Sequence, residues 1–327
     1  MKSIILPIWI SALGLAAIAL WATASFADQD AQIVPEPSAG SVTVFPIEHS
    51  DHLESVPTVW VWTPPGYSAD STERYPVLYM HDGQNLFDPR LSNFNKEWRV
   101  DETITRMAAR GDLRNWIVVG IRSPDARWQA LFPQKLYGYL PHHLTDAMRE
   151  PNIGGSQLQV PLFGDAYLSF LVSELKPAID ARFATLTGPE DTAIMGSSMG
   201  GLISLYAIAE YPEIFGQAAG LSTHLPLVNP EGRNANIDAP AIAEAFGRYF
   251  AATRLNPDRN RIYVDHGTAT LDASYPPYFA AFDRMMEEAG WALPAYESRV
   301  FYGAEHEENA WAQRLDIPLS FLDSKDP

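Results

Sequence analysis

Asp191-Thr-Ala-Ile-Met-Gly-Ser-Ser-Met-Gly-Gly-Leu-Ile-Ser-Leu-Tyr206 reads as a strand, a glycine-flanked turn and the start of a helix. Thr192-Ala-Ile-Met195 is a short apolar run of strand type, and residues 202–211 have helix character that stops at Pro212, a residue with no N–H to continue the ladder. Between them Gly196-Ser197-Ser198-Met199-Gly200 sets two glycines around Ser198, the G-x-S-x-G spacing of a strand-to-helix elbow. A serine on so sharp a bend takes a positive φ, and strand and helix nearly touch, so the positions two before and two after it must carry almost no side chain. The bend lifts the Ser198 hydroxyl over the strand ends. It also aims the N-terminus of the next helix, with its unpaired N–H groups, at any negative charge that develops there.

The flanking sequence supplies seven more strands. Ser41-Val-Thr-Val-Phe45 and Thr58-Val-Trp-Val-Trp62 alternate, the second closed by Pro64-Pro65-Gly66-Tyr67, which predicts an antiparallel pair at a sheet edge. Val77-Leu-Tyr-Met80, Trp116-Ile-Val-Val-Gly-Ile121, residues 218–221, Arg261-Ile-Tyr-Val264 and Arg299-Val-Phe-Tyr302 are continuous apolar runs separated by helix-like segments. Strands apolar on both faces and alternating with helices predict an α/β fold: a mostly parallel central sheet with helices on both faces and an antiparallel N-terminal edge. Ligands then sit at the carboxyl ends of the parallel strands. Two excursions, residues 134–163 and 226–255, are expected to shape a pocket or lid there.

The chain has 327 residues, 23 Lys and Arg, 40 Asp and Glu, and no cysteine. Residues 1–27 carry Lys2, an apolar run and a small-residue end at Ser25-Phe26-Ala27, the build of an export leader cleaved after Ala27 or Ala24. The same run has the length of a minimal membrane anchor if it is retained. An exported protein, periplasmic or secreted, is expected, with residues 28–40 as a flexible lead-in and 41–327 as one catalytic domain. Without the leader the charge is 22 minus 40, or −18, which repels nucleic acid and anionic membranes. With no cysteine, lipidation and disulfides are excluded and the fold stands on its core.

A serine is a weak nucleophile until a base takes its proton and a buried acid orients that base. In an elbow fold the order is Ser, acid, His. Only His224, His266 and His306 follow Ser198, and only His306 lies beyond the last expected strand, in the loop Gly303-Ala-Glu-His306; it is the expected base. For the acid, Asp272 sits in the loop after a strand and Asp265 on the strand itself, so Asp272 is expected and Asp265 is held in reserve. The oxyanion donors expected are the N–H of Met199 and a second N–H from the loop His81-Asp-Gly83-Gln84-Asn85, with Gly83 bending the backbone, Gln84 donating and Asn85 as the alternative. Asn85, His224 and Trp128 are candidate substrate contacts, and Trp98, Tyr137 and Tyr139 are further aromatics for a pocket. Neither His81-Asp82 nor His142-His143 has a partner cluster at metal-ligand spacing, so no metal is expected, and the histidine pair reads as a polar loop.

These segments resemble one family. Tyr75-Pro-Val-Leu-Tyr-Met-His-Asp-Gly-Gln-Asn-Leu-Phe-Asp88, Val118-Val-Gly-Ile121, Gly164-Asp-Ala-Tyr-Leu168, Glu174-Leu-Lys-Pro-Ala-Ile-Asp180, the elbow, and His306-Glu-Glu-Asn-Ala-Trp311 with Arg314 look like the esterase family of α/β-hydrolases. That family includes feruloyl and acetylxylan esterases, S-formylglutathione hydrolase, siderophore esterases and mycolyltransferases. Trp98-Arg-Val-Asp101 and the His-Asp-Gly-Gln-Asn segment are most similar to its siderophore-esterase branch. The resemblance implies a cofactor-free serine esterase that works through an acyl-enzyme on a small-molecule or glycan ester, with Ser198, Asp272, His306 and the Gly83-Gln84 loop as its site. An acyltransferase on the same three residues, or a silent glycan- or siderophore-binding module, are the alternatives. Many relatives carry Arg-x-x-Glu-Tyr-x-Pro where this chain has Ala130 and Leu131 after Arg127, which predicts a more apolar pocket at that point.

Overall fold

The computed structural model describes residues 33–92, 95–149, 161–228, 230 and 238–323. The leader expected over residues 1–27 lies outside them, as do parts of both excursions. Eight strands form one sheet in the order β1-β2-β4-β3-β5-β6-β7-β8: β1 Ser41–Phe45, β2 Val59–Thr63, β3 Val77–His81, β4 Ile117–Ile121, β5 Thr192–Ser197, β6 Gln217–Leu221, β7 Arg261–Gly267 and β8 Tyr296–Phe301. β1 pairs antiparallel with β2, and β2 antiparallel with β4. Every other pairing is parallel, so the expected antiparallel N-terminal edge and parallel centre are both present. β8 begins three residues before the apolar run that predicts it; it is the edge strand, with Arg299 and Val300 both exposed and only Tyr296 buried.

The two sides of the sheet fill by strict alternation. Val77 and Tyr79 face one core with Ile117, Val119, Ile121 and Ile194, whereas Leu78 and Met80 face the other with Val118, Ala193 and Met195. Successive strand residues point to opposite faces, so five-residue runs with no polar break can be stable only if both faces are covered. Val100–Arg110 and Asp316–Asp323 cover one face through Val100, Ile104, Met107, Leu319 and Leu322. On the other side lie Gly164–Phe170, Met199–Glu210, Ala239–Ala251 and Pro276–Glu288. Each fully buried aliphatic side chain contributes about 1.5–3 kcal/mol. The excursion helix thus belongs to the core: Ala239–Ala251 is capped by Asp238, which accepts from the Ala241 N–H, and its Phe246 meets Phe282 edge-on at 5.3 Å.

Residues before β1 are held by polar contacts. Glu36 N–H donates to Asp88, Ala39 N–H to Asp101, Ser38 Oγ to Glu102, and the Trp62 indole N–H to Ala39 O. His142 and His143, expected in a loop, begin the helix His142–Arg149. Among the described residues no helix is long and apolar enough to cross a membrane.

Between β5 and the helix Met199–Glu210 the backbone turns at Ser198 with φ 54° and ψ −119°. A Cβ on Gly196 would lie 2.8–3.0 Å from backbone atoms of Gly200, and one on Gly200 would lie 3.2 Å from His81 Cβ. Strand and helix therefore close on each other where the sequence pattern requires. Gly196→Ala is expected to destabilise the protein by about 1–3 kcal/mol, the range for overpacking, read as a lowered urea midpoint; an unchanged midpoint would mean that the turn has slack.

Candidate active site

The turn after β5 carries Ser198, and the loops after β7 and β8 carry Asp272 and His306, which meet each other. Ser198 is fixed first by its own backbone: its N–H donates to Leu221 O at 2.9 Å, and its carbonyl accepts from Leu202 N–H at 3.0 Å and His224 N–H at 3.1 Å. His306 leaves the loop after β8, and the loop after β7 is stitched to it. Thr268 and Ala269 N–H both donate to Ala304 O; Gly303 N–H donates to Thr268 Oγ1 and His306 N–H to Thr270 Oγ1. The two loops approach so closely that a Cβ on Gly267 would lie 2.2 Å from Ala304 O. Past His306, Glu307 caps the helix Glu308–Ala312 by accepting from Asn309 and Ala310 N–H, and pairs with Lys96 at 2.8 Å.

Within this frame His306 Nδ1 donates to Asp272 Oδ1 at 2.6 Å. The other oxygen of Asp272 accepts from Gly267 N–H at 2.6 Å and Ser222 Oγ at 2.5 Å. Burial of this carboxyl would raise its pKa, but the hydrogen bonds from His306, Ser222 and Gly267 outweigh it and hold the pKa below the ordinary aspartate value. With Nδ1 committed, Nε2 is the ring nitrogen left to exchange protons. The His306 ring is wedged edge-on between Trp311 at 5.2 Å and Tyr275 at 5.8 Å, and Trp98 packs behind Trp311 at 5.4 Å.

Asp265, the reserve acid, is engaged elsewhere. It stays inside β7, fully buried, and accepts from Arg314 Nη2 at 2.9 Å and Nε at 3.2 Å, with Tyr263 and the Ser222 N–H completing its shell. Arg314 and the Trp311 indole both donate to Ser222 Oγ, which passes its own proton to Asp272. Asp265 therefore acts on Asp272 only through Arg314 and Ser222. A strand residue with its side chain turned into the core has no line to the histidine, whereas a residue in the loop after the strand has.

The residues expected on the oxyanion side follow β5 and β3. Met199 opens its helix, where no preceding carbonyl exists to accept its N–H. Gly83–Asn85 forms a single 3₁₀ turn behind Asp82, which has φ 56°, and a Cβ on Gly83 would strike the Gly120 carbonyl carbon at 2.6 Å. Asn85 N–H is spent on Asp82 O at 2.9 Å, so the alternative donor is engaged and the expected one remains Gln84. Its side chain is clamped to Ser123 in both directions, Nε2 donating to Oγ and Oε1 accepting from N–H. Asp82 anchors the loop through Arg127 at 2.6 and 2.8 Å and through Ser123 Oγ. Arg127 and Ser123 lower the Asp82 pKa despite its burial. His81 donates to or accepts from Tyr167 OH at 2.8 Å, and burial pulls its pKa down to about 4; it is a core histidine. Among the described residues no group of three His, Cys, Asp or Glu could hold a metal.

The aromatic candidates divide. Trp128 meets the buried His224 ring edge-on at 5.3 Å, next to Tyr275. Trp98 is core, and Tyr137 and Tyr139 pack on Phe132 and Tyr249. Ala130 and Leu131 do not make an apolar pocket as expected: both are fully buried in the core, while Arg127 before them is taken by Asp82. Tyr275, Ser222, Trp311 and Arg314 were not assigned site roles by the sequence reading; Tyr275-Pro276-Pro277, three residues beyond Asp272, was the available signal for the first.

The sheet order, the elbow at the end of β5 and the histidine loop after β8 are those of the α/β-hydrolase fold. A family model described as "Putative esterase" matches residues 50–150 and 152–321, and the chain belongs to that family. Among curated proteins it is 27% identical over 173 residues to the uncharacterized protein YbbA of Bacillus subtilis (strain 168), an alignment covering 53% of this chain and 59% of YbbA. Similar solved structures include a ferulic acid esterase, at 19% identity and TM-score 0.57, covering 86% of this chain and 98% of that one. The enterobactin esterase of Shigella flexneri is similar at 18% and 0.57, covering 88% of this chain and 61% of that one. A ferulic acid esterase of Anaeromyces mucronatus follows at 17% and 0.55, covering 88% and 90%. At these identities the structures share the fold.

Because the Asp272 pKa is depressed from 3.8 on folding, its charged form adds stability above that ordinary value, and the contribution is lost as pH falls through the folded value. Asp272→Asn should therefore lower the urea midpoint at pH 7, and the gap from wild type should close toward pH 3. A gap of constant size would contradict the assignment.

Proposed function

We propose that this chain is a carboxylic ester hydrolase that works through an acyl-enzyme on Ser198. The observation that carries the reading is the part-buried 2.6 Å hydrogen bond between His306 Nδ1 and Asp272, in a chain whose elbow serine is held at φ 54°. His306 Nε2 takes the Ser198 proton as Oγ attacks the ester carbonyl, and Asp272 keeps the tautomer and supports the charge on the ring. The N–H groups of Met199 and Gln84 receive the oxyanion. The proton then passes to the leaving alcohol, water enters, and the same histidine activates it to release the acid.

For substrate, we propose small esters of the siderophore, feruloyl or acetyl type. The likeness to enzymes named for ferulic acid and enterobactin supports this class, as does an aromatic flank at Trp128 and His224 suited to a planar acyl group. A leader-like N-terminus over residues 1–27 supports an exported, periplasmic or secreted enzyme that meets esters outside the cytoplasm.

A fluorophosphonate probe is expected to label wild-type protein at Ser198 and to stop hydrolysis of p-nitrophenyl acetate. Ser198→Ala should lose labelling and at least a thousandfold in kcat, on the order of the loss of a catalytic serine. Labelling or turnover that survives in the mutant would place the nucleophile elsewhere.

A further inference from the structure

Ser222 stands directly after β6 and has no part in the acyl-enzyme scheme, yet the whole hydrogen-bonding capacity of its side chain is used behind Asp272. The residue is fully buried. A serine hydroxyl has one proton to donate and two lone pairs to accept with. Both lone pairs are occupied: the Trp311 indole N–H donates to Ser222 Oγ at 2.9 Å and Arg314 Nη2 donates to it at 3.0 Å. Indole and guanidinium can only donate, so the direction of these two bonds is fixed by the residue types. The third contact of the oxygen is Asp272 Oδ2 at 2.5 Å, and the one hydroxyl proton must lie there. Through its other oxygen the same carboxylate accepts from His306 Nδ1 at 2.6 Å. The backbone is bent to make this arrangement. Ser222 has φ 43°, in the left-handed region where a side chain is strained, and its N–H donates to Asp265 Oδ1 at 2.9 Å. Asp265 also accepts from Arg314 Nη2 at 2.9 Å and Nε at 3.2 Å, and Arg314 Nη1 donates to Ala310 O at 3.1 Å. The guanidinium is thereby fixed on Ser222 Oγ, and a hydroxyl that accepts from a cation is polarised into a stronger donor toward its own acceptor.

We propose that Ser222 is a positioning residue for the hydrolysis: its hydroxyl orients the Asp272 carboxylate toward His306 and moderates the pull of that carboxylate on the histidine proton. Trp311 and Arg314 act through it, by holding the hydroxyl in its donating direction. The inference rests on the acyl-enzyme reading. A carboxylate that loses a donor becomes more basic and holds the imidazolium form of the histidine more firmly. Neutral imidazole, the form that can take the Ser198 proton, then appears only at higher pH. The other charged or titratable groups around His306 are Glu305, Glu307 and Glu308 in its own stretch, Lys96 paired with Glu307 at 2.8 Å, Tyr275 edge-on at 5.8 Å, and His224 behind Tyr275. A substitution at Ser222 leaves all of them in place.

The test is the pH dependence of kcat/KM for p-nitrophenyl acetate in Ser222→Ala, a profile that reports the essential base of the free enzyme. The expected result is a kcat about tenfold lower, the worth of one hydrogen bond, with the acid limb moved up by about half a pH unit or more, part of the shift that a full neighbouring charge would bring. Ser222→Gly takes φ 43° without strain; it is the companion variant if the alanine protein is poorly folded by circular dichroism, and it should show the same displaced limb. Added to either variant, Trp311→Phe should move the limb no further, and a further shift would show that Trp311 does not act through Ser222. An acid limb at the wild-type pH, whatever the loss in kcat, would overturn the role of Ser222, because a hydroxyl that only fills space changes rate or stability without displacing the limb. Turnover that survives in Ser198→Ala would instead sink the acyl-enzyme reading beneath it.

Discussion

The hydrogen bond from His306 to Asp272 is a joint between two loops that the sheet would otherwise leave independent. One loop follows β7 and the other β8, and nothing in the parallel pairing of these strands fixes their ends. The Ala304 carbonyl, which takes two N–H groups, and Thr268 and Thr270, which receive two more, make the ends one body. Gly267 lets them come that close. Behind the joint, Arg314 neutralises Asp265 and shares Ser222 with Trp311, so that the polar groups around Asp272 are satisfied without spending its bond to His306. Losing one partner from a buried charge pair of this kind costs about 3–5 kcal/mol, so Arg314 and Asp265 are held together behind Asp272.

Much of this was legible in the sequence, for physical reasons. Continuous apolar runs such as those starting at Val77 and Ile117 read as strands covered on both faces, and both are buried throughout. The elbow was readable because Gly196 answers to Gly200, four residues on, although Gly200 itself meets His81 at the end of β3. The preference for Asp272 over Asp265 came from a local argument about loops and strands, and the structure puts Asp272 in contact with His306. The network behind it was not legible. Ser222 lies 50 residues from Asp272 and 92 from Arg314, and a serine after a strand carries no mark of such partners. The same holds for Tyr275, whose neighbours are set by packing across three loops. β8 was misjudged at its start because this edge strand buries only Tyr296.

On the other side of the elbow a second constraint operates. Asp82 in a left-handed conformation, Gly83 pressed on β4 and Gln84 clamped to Ser123 form a turn whose shape is maintained by the part-buried pair of Asp82 with Arg127. Rigid donors that need no reorganisation are what stabilise a developing oxyanion. This turn and the start of the helix Met199–Glu210 follow two separate strand ends, β3 and β5, and hold the two N–H groups that the proposed mechanism calls for.

The most direct test of the central claim is a crystal structure of the protein inactivated with a fluorophosphonate ester. The account predicts phosphorus bonded to Ser198 Oγ, the phosphoryl oxygen between the N–H groups of Met199 and Gln84, and His306 Nε2 within hydrogen-bond reach of the adduct while Nδ1 stays on Asp272. An adduct on another side chain, or a His306 ring turned away from the modified serine, would contradict it.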